Sequence, residues 1–458
     1  MRTIVQEIME QFQQKIFRFF QSDRITLPEA ENQLLQAAKE FTVDMLQAYA
    51  QQLNEELAAD RQGRGKEGIV LERKRDERRQ LTRLGEICFR RDYYWDKQRQ
   101  CYRYLVDEIL GIEKGMRISS GLGLSLAGAA AEMSYAKSSR YVGEGKISRQ
   151  TVMNRLRKCQ AREAMPQEKR RVAVLHVDAD EDHVTLQGGK KSIVPLISIY
   201  EGIGSKGKRR YCREVFHLSE YGLSSDELWE KALNAIESRY ELEDTVIYLH
   251  GDGASWIKTG LDWLPNCRLV LDKYHKNKAI KTMCGGLGQG SLRQEVEKAV
   301  HSSLTQGNEG WLRDITESLC KENPQREKAI REAANYLHSH RKAIAICHQD
   351  NEANNGGCTE PHVSHVLSGR LSSRPMTWSK KTLVCLAPIL AAKGELEKKK
   401  ETPPIEESVL KKAAAKAKKV FQPKNTLGLV APDAIGALTA ISLGKKTPVF
   451  SSVYSFSR

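Results

Sequence analysis

The chain has 458 residues, which is too long for one ordinary domain and favours two to four. Hydrophobic residues make up 40% of it and aromatic residues 7%, enough to bury a core, so composition argues against wholesale disorder. Lys and Arg total 73 against 58 Asp and Glu, a formal net charge of +15. This excess favours a polyanionic partner such as nucleic acid, with charge that serves only solubility as the alternative.

The sequence also indicates where the protein resides. No segment reaches the roughly 18 uninterrupted apolar residues of a membrane helix, and the N-terminal stretch mixes charged and amide side chains through its apolar positions. Ten cysteines occur without a CxxC pair, which indicates neither a disulfide framework nor a zinc knuckle. We therefore expect a cytoplasmic protein with no membrane partner.

Residues 1–60 are predicted to be helical. Apolar residues at helical spacing begin at Ile4 and indicate a first amphipathic helix, and Pro28 opens a second helix that runs to about residue 60. Residues 61–81 are rich in Arg, Lys and Gly. They are predicted to form an exposed, mobile basic linker.

Residues 82–112 are predicted to contain a β-hairpin. Two runs rich in β-branched and aromatic residues flank the turn-like sequence DKQRQ. Cations and rings interleave along both runs, as in Arg90, Arg91, Tyr93 and Tyr94, which suits contact with phosphates and bases. The alternative is an ordinary hairpin in which the aromatic rings pair across the strands.

Residues 113–165 are predicted to form a helix-turn-helix-like DNA-binding region. Ser148 is a good N-cap, and Ile147 and Val152 have the spacing of a hydrophobic staple. The side chains predicted to face outward for DNA are Arg149, Gln150, Asn154, Arg157 and Lys158, joined by Arg155. A solvated basic helix within a bundle is the alternative.

Residues 170–395 have an α/β pattern. Three strands in sequence are followed by alternating helix and strand, the order of an RNase H-like sheet. Residues of about 276–350 are helical in period and are predicted to form an all-helical insertion. Residues 396–458 are predicted to be a charged tail, either a solvated helix or partly disordered.

Three apolar segments of this α/β region end in an acidic residue. Asp180, Asp252 and Asp272 each follow an apolar run, and Asp252 lies between two glycines. Catalytic groups in open α/β sheets gather at the strand ends, and converging carboxylates repel one another unless a cation lies among them. Two Mg²⁺ ions suit such a site and would promote phosphodiester displacement. The alternative is that each acid is an ordinary loop residue.

Three sequence strings resemble a known family. HVDADEDHVTLQ, HGDGASWIKTGLDWLPNCRLVLDKYHKNK and GGCTEPHVSHVLSGRLSSRPMTWS are similar to segments of the ISLre-type insertion-sequence transposases of bacteria, which are related to the Mutator-like DDE transposases. The resemblance extends to about residue 395. It implies an RNase H-like catalytic core with an all-helical insertion, preceded by α-helical and β-hairpin/helix-turn-helix DNA-binding regions.

The resemblance also implies site residues. The catalytic and metal-binding set would be Asp180, Asp252 and Glu360, with Asp178 as the alternative first acid, and it would hold two Mg²⁺ (or Mn²⁺) ions. Asp272 and His275 match the D-x-x-H element of Mutator-like relatives and would support the site. Pro361 stands where the family is expected to have Gly; it would hold Glu360 extended at a helix start.

The expected function is a DNA transposase that cleaves insertion-sequence ends and transfers the freed strand into target DNA. Its partners would be double-stranded DNA, at terminal inverted repeats and target, and at least a second copy of the chain, because two ends must be paired. The protein would be associated with the bacterial nucleoid. The alternatives are a non-catalytic DNA-binding regulator or domesticated transposase, and an RNase H-like nuclease that cuts without joining.

Overall fold

The computed structural model describes residues 4–21, 24–161, 168–392, 396–398 and 408–421. It shows a mixed α/β protein, as predicted, in two compact units. The first unit comprises the described parts of residues 1–119 and 402–458, and the second comprises those of residues 120–401.

The helices and strands are numbered in chain order. The helices are α1 (Ile4–Phe20), α2 (Leu27–Ala59), α3 (Arg61–Lys66), α4 (Leu105–Ile109), α5 (Ser120–Glu132), α6 (Tyr135–Val142), α7 (Arg149–Leu156), α8 (Ser225–Glu237), α9 (Ser255–Lys258), α10 (Gly260–Trp263), α11 (Lys273–Met283), α12 (Ser291–Thr305), α13 (Glu309–Glu322), α14 (Glu327–Ser339), α15 (Arg341–Gln349), α16 (Thr359–Val363), α17 (Gly369–Leu371), α18 (Lys380–Ala391) and α19 (Ser408–Phe421). The strands are β1 (Ile69–Leu81), β2 (Glu86–Asp96), β3 (Cys101–Arg103), β4 (Cys159–Ala161), β5 (Arg170–Arg171), β6 (Val174–Thr185), β7 (Lys191–Tyr200), β8 (Ile203–Lys206), β9 (Arg209–Cys212), β10 (Phe216–Leu218), β11 (Tyr240–Glu241), β12 (Val246–Gly251), β13 (Cys267–Leu271) and β14 (Leu396–Lys398).

The first unit begins with the two predicted helices. Helix α2 begins at Leu27 because the Thr26 N–H donates to the Glu29 carboxylate at 3.0 Å and so gains a partner that the helix itself cannot supply. Pro28 lies in the first turn, where its missing N–H costs no hydrogen bond. The inner face of α2 packs on the sheet β1–β2–β3, in a core that contains Leu53 and Tyr94.

The prediction of a mobile basic linker over residues 61–81 is wrong. Residues 61–66 form α3, and β1 pairs with β2 in antiparallel register from Ile69 opposite Asp96 to Leu81 opposite Glu86. β1 is an edge strand, and its pairing with β2 shifts register between Leu71 and Asp76. This pairing makes it a strand although most of its side chains are charged and exposed. The predicted hairpin is confirmed, since β2 pairs with β3 across the DKQRQ turn.

Residues 408–421 form a helix, α19, which was one of the two alternatives predicted for the charged tail, but the expectation that this helix is solvated is wrong. One face of this helix is buried against α2 through Val409, Leu410, Ala413 and Ala417. On its other side, Lys412 lies 3.3 Å from the Asp60 carboxylate. Residues 396–398 form β14, which pairs with β4. The rest of the predicted tail lies outside the described residues.

The second unit contains a five-stranded sheet in the order β10-β7-β6-β12-β13. Strands β10, β7 and β6 run antiparallel, whereas β6, β12 and β13 run parallel. Strand β6 continues beyond Asp180 to Thr185 because β7 pairs with it throughout. The third of the three predicted strands, RRYCREVFHLS, is interrupted: it forms β9 and β10, with Glu214 between them at a positive φ of 51°.

Helix α8 covers one face of this sheet. It begins at Ser225, after a Ser224–Glu227 capping box, and buries Trp229 against the apolar side chains of β6 and β12. The packing fixes which residues of each strand face the core, since successive side chains point to opposite faces. It thereby fixes where the acidic residues that follow these strands emerge.

The helical insertion is confirmed in the described residues. After β13 the chain forms α11 to α15, which share a core that includes Met283, Val300 and Ile330. The chain then returns to the sheet through residues 356–360 and enters α16. The insertion therefore lies, in sequence, between the second and third predicted acids.

Candidate active site at the sheet edge

Three acidic residues lie at one edge of the five-stranded sheet. Asp180 lies in β6, and strand β12 runs parallel to β6. His250 of β12 pairs with Asp178 of β6, so Asp252, two residues after His250, emerges beside Asp180. Asp272 follows the last residue of β13, and its N–H donates to the Gly251 carbonyl at 2.9 Å. The carboxyl ends of the parallel strands thus bring together acids that are far apart in sequence.

The Asp180 carboxyl is the most perturbed acid at this edge. Burial raises its pKa to about 6, and the nearby negative charge of Asp252 acts in the same direction. The Glu181 N–H, which donates to the Asp180 carboxylate at 2.8 Å, and the side chain of His275 oppose the rise. Asp180 and Asp252 therefore repel each other in the ionised state.

Asp272 and His275 form a pair beside these acids. Asp272 caps α11: its carboxylate accepts from the N–H groups of Tyr274 at 3.0 Å and of His275 at 3.3 Å. Burial acts to raise the pKa of Asp272, but hydrogen bonds from His275 outweigh it and lower the pKa. The same contact with Asp272 raises the pKa of His275, and Asp180 and Asp252 add to this effect. The neighbouring carboxylates therefore stabilise the protonated form of His275.

Asp178 has a different environment from Asp180. It is buried, and its carboxylate accepts from the Tyr200 hydroxyl at 3.0 Å and from the Cys358 N–H at 2.8 Å. The His362 ring lies 3.3 Å from the same carboxylate. Burial raises the pKa of Tyr200, so its hydroxyl keeps the proton that it donates. The oxygens of Asp178 are thus engaged by protein groups.

The segment that carries Glu360 crosses the same edge. The Gly357 N–H donates to the Tyr200 hydroxyl at 3.0 Å, and the Cys358 N–H donates to the Asp178 carboxylate at 2.8 Å. Glu360 lies in the first turn of α16, so the expectation that Pro361 would hold it extended is wrong: the helix begins one residue earlier, at Thr359. The Glu360 side chain is exposed and has no ion pair with another described residue.

Two residues of the helical insertion reach the second acid. The Tyr336 hydroxyl of α14 donates to the main-chain carbonyl of Asp252 at 2.8 Å. His340 packs so closely on Gly253 that a Cβ there would lie 2.1 Å from its Nε2 atom. Gly253 also has a φ of +83°, which side chains rarely adopt. The insertion therefore braces the turn that presents Asp252.

The donor set suits a divalent cation. Carboxylate oxygens are the ligands that Mg²⁺ takes, and a cation would offset the repulsion between Asp180 and Asp252. In the part of the chain that the structure describes, no group of three or more His, Cys, Asp and Glu side chains is arranged as a metal site. The geometry is thus an open pair of carboxylates, with Glu360 on a neighbouring segment.

Helix α7 agrees in part with the predicted DNA-reading helix. The Ser148 hydroxyl accepts from the Thr151 N–H at 3.1 Å, and Ile147, Val152 and Leu156 are buried, as predicted. The exposed residues of the predicted set are Arg149, Gln150, Asn154 and Lys158.

The outward orientation predicted for Arg157 is wrong. Its guanidinium is half-buried and donates to the Ser379 hydroxyl at 2.9 Å and to the Thr382 hydroxyl at 3.0 Å, at the start of α18. Arg155 is also buried, beside Gly123 of α5. Both guanidinium groups therefore serve packing within the second unit.

Sequence reasoning missed Tyr200, Cys212 and Tyr336. Tyr200 is the last residue of β7, Cys212 ends β9 and Tyr336 lies in α14. The segments of Cys212 and Tyr336 are not apolar strands followed by an acidic residue, which was the pattern used to find the site. Their contacts with the site come from other elements of the fold. The one available signal was the position of Tyr200 at the end of a predicted strand next to that of Asp178.

Comparison with known proteins identifies relatives over most of the chain. Residues 21–403 match the family described as "Uncharacterised protein family (UPF0236)". A UPF0236 protein of Caldanaerobacter subterraneus subsp. tengcongensis, whose name combines eleven locus designations of one genome, is 33% identical over 423 residues, covering 89% of this chain and 86% of the relative. A second one, with four designations, is 32% identical, covering 92% of this chain and 96% of the relative.

A more distant relative comes from Streptococcus gallolyticus. It is described as "UPF0236 protein in vanSb 3'region" and is 28% identical over 336 residues, covering 69% of this chain and 72% of the relative. None of the described helices is long and apolar enough to cross a membrane. The family match and the full-length relatives show that the chain belongs to the UPF0236 family.

Proposed function

We propose that the protein is a DDE-type DNA transposase that cleaves insertion-sequence ends and joins them to target DNA, using two divalent ions, Mg²⁺ or Mn²⁺. One observation carries the proposal: Asp252 follows β12 beside Asp180 of the parallel strand β6, and the Cys358 N–H, two residues before Glu360, donates to the Asp178 carboxylate of the same strand. Repelling carboxylates at a strand edge are typical of a cation site.

The sheet order supports an RNase H-like core. Three antiparallel strands in chain order, β6, β7 and β10, are followed by two strands parallel to β6 on its other side. This is the order that the resemblance to the transposases implies. The all-helical insertion between β13 and Glu360 is where the resemblance also implies one.

The geometry favours Asp180 over Asp178 as the first acid. Asp178 is buried, with its carboxylate engaged by Tyr200 and Cys358. Asp180 is partly exposed and faces Asp252. Both oxygens of Asp178 accept from protein donors, whereas Asp180 accepts from the Glu181 N–H at one oxygen. We therefore assign Asp178 to positioning the Glu360 segment and Asp180 to binding metal.

In the proposed reaction, water attacks the phosphodiester at the element's end, and the freed 3′-hydroxyl then attacks target DNA in the same site. The bound ions would supply Lewis-acid activation and charge neutralisation. Asp180, Asp252 and Glu360 would hold them. Asp272 raises the pKa of His275 beside these acids, and the positive charge of the protonated ring would limit their repulsion. Neither displacement needs a covalent protein intermediate.

The copy number of a relative supports a mobile element. The Caldanaerobacter protein carries eleven locus designations in one genome, a distribution expected of a gene that is copied from place to place. The excess of 73 Lys and Arg over 58 Asp and Glu fits a DNA partner. We propose that the protein acts on nucleoid DNA in the bacterial cytoplasm, as a dimer or larger assembly.

The exposed residues of α7 are proposed to contact DNA. Gln150 and Asn154 lie on one helix face and are joined by a hydrogen bond of 3.1 Å, and Arg149 and Lys158 are exposed at the two ends of the helix. Amide side chains read base edges, and cations contact phosphates.

A second candidate is a DNA-binding protein without catalysis. It is favoured by the exposed amide and basic side chains of α7 and by the net charge of +15. In this case α7 would carry the function and the α/β unit would serve assembly.

The test compares the wild-type chain with Asp252→Asn on a duplex that carries the inverted repeats flanking the gene. We expect Mg²⁺-dependent cleavage by the wild type, none by Asp252→Asn, and normal cleavage by the control Asp262→Asn, whose carboxylate is exposed on α10. Persistent cleavage by Asp252→Asn would overturn the assignment. Specific binding without cleavage by the wild type would favour the second candidate.

A further inference from the structure

We propose that Cys212 and Cys358 form a reversible disulfide that controls the position of the segment bearing Glu360. The bond itself is independent of the proposed function, whereas its effect on DNA cleavage rests on that function. Neither thiol has a part in the proposed chemistry. Together they form a modification site that joins the end of β9 to the start of α16.

The two thiols lie close together at the start of α16. The Cys212 sulfur lies 3.6 Å from Nε2 of His362, and the His362 N–H donates to the Cys358 carbonyl at 3.1 Å. Each thiol shifts the pKa of the other, in keeping with this proximity. Both side chains are partly exposed, so a small oxidant reaches them without unfolding of the second unit. An accessible pair of neighbouring thiols can undergo thiol–disulfide exchange.

Cys358 is tied to the proposed active site through the backbone. Its N–H donates to the Asp178 carboxylate at 2.8 Å, and the N–H of the preceding Gly357 donates to the Tyr200 hydroxyl at 3.0 Å. Glu360 follows two residues after the cysteine. Gly357, just before the cysteine, has a φ of +82°. The segment is therefore short and held at several points, so a displacement of Cys358 is passed on to Glu360.

The oxidation can be balanced with glutathione disulfide as the oxidant. The sulfur of one cysteine attacks a sulfur of glutathione disulfide, which forms a mixed disulfide and releases one glutathione. The second cysteine attacks the protein sulfur of that mixed disulfide, forming the Cys212–Cys358 bond and releasing the other glutathione. Two thiol protons and two electrons leave the protein with the two reduced glutathione molecules, and dithiothreitol reverses the process.

A covalent bond draws two sulfur atoms closer than a hydrogen bond does. The Cys358 backbone must therefore shift toward β9, or the hydrogen bond to Asp178 must lengthen. A displacement of about 1 Å in a catalytic group can lower a rate about 100-fold. We expect oxidation to lower metal-dependent cleavage by about this factor, because the Glu360 carboxylate moves away from Asp180 and Asp252.

Cys385 provides a matched control. It is also partly exposed and lies in the second unit, but its thiol contacts the main-chain oxygen of Arg157 at 3.6 Å and not another thiol. Cys385→Ser should therefore keep the disulfide, whereas Cys212→Ser should lose it.

The experiment treats the folded full-length chain with glutathione disulfide, blocks the remaining thiols with iodoacetamide and maps peptides by mass without reductant. We expect the Cys212 and Cys358 peptides linked, with the mass of two hydrogen atoms lost, in the wild type and Cys385→Ser. The link should be absent from Cys212→Ser and after dithiothreitol. Glutathione adducts at both cysteines without a link, or links to other cysteines, would overturn the proposal.

Cleavage by the same samples tests the consequence. The oxidised wild type should cleave about 100-fold more slowly and recover with dithiothreitol, while Cys212→Ser should be insensitive to the oxidant. Equal cleavage by fully linked and reduced protein would overturn the control of Glu360. If reduced protein does not cleave at all, the proposed function fails. The effect of the disulfide on the Glu360 segment is then tested by hydrogen exchange of residues 356–363, and unchanged exchange on oxidation would overturn it.

Discussion

Replacing Asp180 with Asn should stabilise the metal-free protein at neutral pH. Burial raises the pKa of Asp180 from 3.8 to about 6, so the ionised carboxylate disfavours the folded state. The difference corresponds to at most about 3 kcal/mol, since one pKa unit is worth about 1.4 kcal/mol. Because the side chain is partly exposed, solvent screening reduces the expected gain to about 1–2 kcal/mol.

The sign of the pH dependence follows from the raised pKa of Asp180. Below pH 3.8 the carboxyl is protonated in both the folded and unfolded states and imposes no penalty. As the pH rises from 3.8 to about 6, the unfolded state releases its proton first, so folding becomes less favourable. The gain from Asp180→Asn should therefore be full above pH 6 and shrink as the pH falls toward 3.8.

Urea unfolding of the second unit, followed at several pH values with and without Mg²⁺, measures both effects. Mg²⁺ should stabilise the wild type more than Asp180→Asn, because the variant has lost a carboxylate that the cation would neutralise. Asp262→Asn, at an exposed position, should show neither change. Equal stability of Asp180→Asn and wild type at pH 8 would refute the reasoning that burial and Asp252 strain this carboxylate.

Three further substitutions test other parts of the structure. Arg157→Ala should cost about 1–3 kcal/mol of unfolding free energy in urea, because it removes the hydrogen bonds to the start of α18. An unchanged urea midpoint would mean that Arg157 does not stabilise the fold and is available to contact DNA. Leu410→Ala should cost about 2–5 kcal/mol in the unfolding of the first unit, since the side chain is buried, and a solvated tail would show no loss. Gly253→Ala should lower both the melting temperature and the cleavage rate, because the new methyl group meets His340 and the positive φ disfavours it; wild-type values for both would contradict the bracing of Asp252.

The sequence predicted the elements that bury apolar side chains in a regular pattern. Strands β6, β7, β12 and β13 have long apolar runs because helices and neighbouring strands cover them. Strand β1 gave no such signal, since its side chains are mostly charged and only its pairing with β2 makes it a strand. The burial of one face of α19 was not predicted, because small alanines form much of that face and its partner, α2, is distant in sequence.

The acidic residues of the candidate site could be predicted from the sequence, but the residues that contact them could not. Apolar runs that lead to an acid located Asp180, Asp252 and Asp272. Asp252 and Asp272 follow the ends of the parallel strands β12 and β13, whereas β6 continues past Asp180 to Thr185. Their hydrogen-bond partners were not predictable, since Tyr200 and Tyr336 come from other elements whose position depends on tertiary packing. The direction of a long side chain on a helix also depends on its neighbours, which is why Arg157 was wrongly assigned to the outer face.

The most direct test of the proposed function is a strand-transfer assay. Full-length protein is incubated with Mg²⁺, a labelled duplex ending in the inverted repeat that flanks the gene, and a supercoiled target plasmid. We expect the label to become covalently joined to the plasmid with wild-type protein, and not with Asp180→Asn, Asp252→Asn or Glu360→Gln. Cleaved duplex without joined product would identify a nuclease, and joining that survives all three substitutions would contradict the proposed active site.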